Sequence, residues 1–184
     1  RLRVSEGAPD TDFAGNASDV IVHWGDSPIP GVVVEPLMDS ARFPVTSPEF
    51  RDREGLEAPE DLLRVTLFHD EVMDAWPEWF RRAGLAPPEM PRGPHFPHCE
   101  LSCTAAEQGQ GVALAYEAVL RDTLRAGTLV RLFDAVTLPI TIYSVAYPVA
   151  RSGDPLVSAF RDWLFAEVAR EEVVPGRPSI AVAE

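Results

Sequence analysis

Lysine is absent from the 184-residue sequence, and all 16 Lys-or-Arg positions are arginine. Against them stand 29 Asp and Glu residues, which leaves a formal net charge of −13. Gripping nucleic acid requires a basic surface that displaces counterions from phosphates, so this field excludes the chain itself as a DNA-contacting domain. No apolar stretch approaches the roughly 20 residues needed to cross a bilayer. The opening Arg1-Leu2-Arg3-Val4-Ser5 alternates like a strand and lacks the apolar centre of an export signal. Cysteine is nearly absent, with only Cys99 and Cys103. One helical turn apart, their Cβ atoms would stand about 5–6 Å from each other, too far for an unstrained disulfide. Together these scarcities point to a reducing, cytoplasmic setting. There is also no G-x-S-x-G, no phosphate-binding glycine loop and no HExxH, which removes the common hydrolase, nucleotide and zinc-protease signatures.

Hydrophobic residues make up 46% of the chain, enough for a buried core at this length. Extended stretches are expected at Asp19–Trp24, Gly31–Met38, Arg42–Thr46, Val65–His69, Val112–Ala115, Thr128–Leu132 and Ile140–Val145. Helices are expected to start at Ser47-Pro48, with serine as cap and proline first. Others are expected at Pro59–Leu63, through Trp76, Trp79, Phe80 and Ala83, from Cys99 to Gln108, and around Val119–Leu124. Asp154 should cap the last helix, whose apolar positions Leu156, Phe160, Trp163, Leu164 and Val168 keep helical spacing. The tail from Val173 is Pro/Gly-rich. Strands alternating with short helices imply an α/β protein with a parallel or mixed sheet.

Two segments resemble a known family. Ala105-Ala106, then Gln108-Gly109-Gln110-Gly111-Val112-Ala113-Leu114-Ala115 and the stretch from Asp122 to Phe133, look like the "AA…G.GVAL…L…L..G.LV..F" signature of LysR-type effector-binding domains. Tyr143 to Trp163 is similar to that family's closing strand and helix. Asp19–Gly25 resembles its "D.AIR.G" strand, and Pro44–Pro48 its "PV.SP" crossover. Leu67–Glu71 with Trp76 and Trp79 looks like the subgroup of glycine-cleavage and β-lactamase activators. The ordered set spans nearly the whole chain.

The resemblance implies a two-lobed, periplasmic-binding-protein-like α/β fold with two crossing hinge strands. Lobe I would comprise residues 1–43 and 144–184, and lobe II residues 44–143. It further implies that a winged-helix domain, a linker helix and the first strand and helix of the sensor precede the segment equivalent to Arg1, so lobe I is expected to be N-terminally incomplete. The implied function is sensing of a small, anionic or amino-acid-like effector by cleft closure in a homodimeric or homotetrameric transcription regulator. DNA would be contacted only through the winged helix, with no cofactor, no metal and no membrane.

Helix N-termini favour carboxylates, which makes Thr46 and Ser47, and His98 and Cys99, candidate effector contacts. Asp19 and Tyr143 match pocket positions of the β-lactamase activator branch, whereas the serine of that branch is missing at His98-Cys99. Each has a plainer role: a turn cap for Asp19, core packing for Tyr143, a helix cap for Ser47. His69, Asp70 and Glu71 read as a solvated loop, and Trp76 and Trp79 as packing. Three rival classes stand beside this reading: a metal or redox sensor using His95, His98, Cys99 and Cys103, a Cys99–His98 enzyme, and a periplasmic solute-binding protein of the same fold.

Overall fold

The computed structural model describes residues 13, 18–70, 75–88 and 93–172. The strand expected at Arg1–Ser5 and the tail from Val173 lie outside the described residues. In chain order the elements are β1 (Ile21–Trp24), β2 (Val32–Ser40), β3 (Arg42–Thr46), α1 (Pro48–Glu54), α2 (Ala75–Arg82), α3 (Cys99–Glu107), β4 (Ala113–Tyr116), α4 (Glu117–Ala126), β5 (Val130–Arg131), β6 (Ile140–Pro148) and α5 (Pro155–Glu172). Two compact units divide the chain: Arg1–Asp39 with Thr141–Glu184, and Ser40–Ile140. These divisions fall a few residues ahead of the breaks expected after Phe43 and Tyr143.

The first unit holds a sheet of order β1-β6-β2. β1 runs antiparallel to β6, with Ile21 opposite Ala146 and Trp24 opposite Tyr143. Helix α5 begins where Asp154 Oδ1 accepts from the Leu156 amide at 2.9 Å. Its buried face differs from the expected one. Val157 is buried, and Leu164 and Phe165 pack on Val145 and Tyr147, whereas Leu156 and Trp163 are 81% and 51% exposed. Leu164 packs as expected and Phe160 and Val168 are partly buried, so only Leu156 and Trp163 of the expected positions turn to solvent.

The second unit holds a sheet of order β4-β3-β5. All five residues of β3 are buried, and it runs antiparallel to both neighbours, pairing Arg42 with Tyr116 and Val45 with Arg131. Pro44 sits in this central strand without an N–H to give, and its carbonyl still accepts from the Leu132 amide at 3.0 Å. Parallel bridges join Leu67 to Val112 and His69 to His95. The strand expected at Val65–His69 is therefore a short extended run wedged between two others. Phe68 N donates to Val112 O at 2.8 Å, and Val112 N to Thr66 O at 3.0 Å. Gly111 makes this approach possible, because a Cβ there would stand 2.7 Å from Thr66 O.

Helix caps follow the sequence closely. Ser47 Oγ accepts from Phe50 N at 3.2 Å, Pro48 is the first helical residue, and Gly55 closes α1 at φ 59°. In α2, Trp76, Trp79 and Phe80 are buried at 2% exposure or less. Their rings contact one another at 5.3–5.9 Å in the core of this unit. Both indole N–H groups are used, Trp76 on Phe68 O and Trp79 on Ala135 O, each at 2.8 Å. The packing role expected of the two tryptophans is the one observed.

Candidate functional site

Among the sequence-derived candidates, Thr46 and Ser47 lie at the end of β3. The Thr46 hydroxyl is fully buried and donates to Gly111 O at 2.7 Å. Besides capping α1 through its side chain, Ser47 donates its amide to Ala106 O at 3.1 Å. Both residues therefore tie β3 to the C-terminal end of α3 and the loop after it. His98 and Cys99 mark the opposite end of α3. His98 is exposed and occupies the N-cap position without a side-chain cap bond, while Cys99 is buried. Seven residues of helix, about 10 Å, separate Cys99 from Ala106, so these four candidates do not converge within the unit.

Asp19 and Tyr143 belong to the first unit. Asp19 is 70% exposed and pairs with the partly exposed Arg151 at 2.8 Å, a contact of the surface type worth about 0–1 kcal/mol. Tyr143 is half-buried and meets Trp24 edge-on at 5.7 Å between ring centroids. The strand register puts Tyr143 opposite Trp24, at the far end of the ladder from Asp19.

Sequence reading missed the cluster with the most unusual electrostatics. Arg42, the first residue of β3, is buried in the second unit, and its Nη1 lies 2.8 Å from Asp70 Oδ1. Side-chain exposures are only 3% and 4%. Asp70, expected in a solvated loop with His69, is thus a buried counter-charge, and His69 is buried beside it at 7% exposure; Glu71 lies outside the described residues. A carboxylate leaves water at this depth only against a partner charge, and Arg42 supplies it. The cross-strand register places Tyr116 opposite Arg42, and the guanidinium carbon sits 4.3 Å over the Tyr116 ring. Thr137 clamps the Arg42 backbone from both sides, its Oγ1 accepting from Arg42 N and its N–H donating to Arg42 O, each at 2.9 Å. The sequence signal available was a charged residue inside an otherwise apolar central strand.

Protonation follows from this packing. Burial acts to lower the Arg42 pKa, but the hydrogen bond to Asp70 and nearby negative charge outweigh it and raise it. Burial pushes the Tyr116 phenol up to about 12, against the pull of Arg42. Cys99 is the more acidic thiol of its pair, chiefly because Cys103 hydrogen-bonds to it, with Arg42 adding to the shift, while Cys103 is pushed up by that bond and by burial. The two sulfurs are 3.8 Å apart, and both cysteines are free and buried.

The rival metal centre does not assemble. Among the described residues, no group of three or more His, Cys, Asp or Glu side chains is arranged to hold a metal ion. His95 is exposed and stacks on His69 at 4.8 Å, and Cys99 and Cys103 turn toward each other, with Cys99 Sγ donating to Leu114 O. An open depression of about 550 Å³ lies between Arg82 and residues 131–135, away from the Arg42 cluster.

Comparison with known proteins places this geometry. The family described as LysR substrate binding domain matches residues 1–169. The chain is 34% identical over 155 residues to the glycine cleavage system transcriptional activator of Escherichia coli (strain K12), covering 84% of this chain and 51% of that protein. It is 29% identical over 168 residues to the HTH-type transcriptional activator AmpR of Rhodobacter capsulatus, covering 91% and 57%. The solved effector domain of the transcriptional regulator AmpR of Pseudomonas aeruginosa matches at TM-score 0.76 and 29% identity, over 88% of this chain and 77% of that one. The chain therefore spans about half the length of the curated relatives it matches. Those relatives are named as regulators of transcription, not as enzymes.

Proposed function

The chain belongs to the LysR substrate-binding domain family, and from that premise we propose that it is the effector-sensing half of a DNA-binding transcription regulator. The observation that carries this reading is the family match over residues 1–169, supported by the likeness in fold to the AmpR effector domain. Relatives about twice as long leave room for a winged helix and linker helix in the other half. The net charge of −13 suits a division of labour in which this half senses and the other half contacts phosphates.

The ligand is a small anionic or amino-acid-like molecule. It can act on DNA only by binding one conformation of the sensor better than another. In this reading the unit from Ser40 to Ile140 is lobe II and the remainder is lobe I. The protein works as a homodimer or homotetramer in the cytoplasm; among the described residues no helix is long and apolar enough to cross a membrane. Asp19, Thr46, Ser47, His98, Cys99 and Tyr143 remain the candidate contacts.

The reading frame upstream of Arg1 tests the proposal. A helix-turn-helix domain followed by a linker helix is expected there. An export signal in its place would turn the function into solute capture on the same fold.

A further inference from the structure

We propose that the depression between Arg82 and residues 131–135 binds a small organic acid, an oxyanion carried on a short apolar body. All of its lining belongs to the unit Ser40–Ile140, so the inference is independent of the regulator reading. Its volume of about 550 Å³ falls in the range of about 300–1,000 Å³ usual for small-molecule sites. The lining divides by chemistry: Ala83, Leu132, Phe133 and Ala135 supply apolar wall, and Arg82 and Arg131 supply two guanidiniums.

The loop that forms this wall has no regular structure of its own, yet side chains hold four successive carbonyls in it. Phe133 O accepts from Arg131 Nε at 2.9 Å, and Asp134 O from Arg131 Nη2 at 2.7 Å. Ala135 O accepts from Trp79 Nε1 at 2.8 Å, and Val136 O from Arg82 Nε at 2.6 Å. The Phe133 ring also lies 6.0 Å from the Trp79 ring in the core of the unit. A wall fixed in this way exists before a ligand arrives, which removes an ordering cost from binding.

These bonds aim both arginines without neutralising them. Each is anchored on neutral carbonyls, and among the described residues neither forms an ion pair, whereas Arg42, Arg64, Arg151 and Arg161 do. Both terminal nitrogens of Arg82 and Nη1 of Arg131 make no hydrogen bond among those residues. Asp134 stands exposed at the rim, and Arg131 takes its carbonyl, not its carboxylate. Two guanidiniums therefore face one carboxylate in a chain whose overall charge is −13. An oxyanion supplies the missing charge and accepts from the remaining N–H groups. The apolar wall selects an organic acid over an inorganic ion.

Hexanoate and hexyl phosphate, titrated into the unaltered protein, should move the nitrogen-15 signals of Ala83, residues 132–135 and the Arg82 Nε–H. Hexanamide keeps the body without the charge, and inorganic phosphate keeps the charge without the body. Each should bind at least about tenfold more weakly than the acids. Arg82→Gln and Arg131→Gln, both at exposed positions, should each weaken the acids by a similar factor. Arg81→Gln removes an exposed positive charge outside the lining and should leave the affinity unchanged. A preference for either acid supports the site and identifies its headgroup as carboxylate or phosphate. The proposal is overturned if neither acid moves these signals, or if hexanamide or inorganic phosphate matches the acids. It is equally overturned if Arg81→Gln weakens them as much as Arg82→Gln does. Should a substitution loosen the loop, the four probes on the unaltered protein still decide. Failure here leaves the regulator reading intact, and an export signal upstream of Arg1 would leave this site intact.

Discussion

At the scale of single residues, the buried pair Arg42–Asp70 behaves differently from the surface pairs. Both partners are almost wholly removed from water, so neutralising one leaves the other charge stranded. Asp70→Asn should lower the unfolding free energy in urea by about 3–5 kcal/mol. The double change Arg42→Met with Asp70→Leu should recover most of that loss, and a double variant no better than the single one would show that the pair's charges are not what matters. Tyr116 adds a pH dependence. Burial holds its phenol protonated up to about 12, against an ordinary value of 10 in the unfolded chain. Its contribution to stability is therefore complete below pH 10 and is lost as pH rises through 12, because the unfolded state gives up that proton first. Alkaline melting curves of Tyr116→Phe should be flatter between those values than those of the unaltered protein.

At the scale of elements, Ser47 offers a clean comparison between a capping and a ligand-contacting role. Its Oγ accepts from Phe50 N at the start of α1, so Ser47→Ala should cost about 1 kcal/mol of stability. A loss of effector affinity without that destabilisation would instead make the hydroxyl a ligand contact. The start of α1 was legible in the sequence because Ser47-Pro48 acts locally. The strand Arg42–Thr46 and the packing of Trp76 and Trp79 were legible for the same reason: local composition and period fixed them. The burial of Asp70 was not, since it depends on Arg42, 28 positions away, meeting it across the fold. The buried face of α5 was legible at Leu164 but not at its first turn, where the sheet beneath selects Val157 and leaves the apolar Leu156 exposed. Of the candidate site, the sequence marked helix ends and strand ends. It did not mark the charged cluster, which no short spacing announces.

At the scale of the whole molecule, we propose that this chain senses and that the other half of a longer protein contacts DNA. The order of weak motifs along the chain, more than any single one, pointed to the family that the comparison then showed. With a charge of −13, the chain alone should not retard DNA even at low salt, where phosphate binding is strongest. The most direct test is a nuclease footprint of the full-length protein on DNA it selects from a random pool, with and without the small molecule that most raises its melting temperature. The account predicts a protected site whose extent or affinity changes when that molecule is added. A protein that protects no DNA, or a footprint indifferent to a molecule that demonstrably binds, would contradict it.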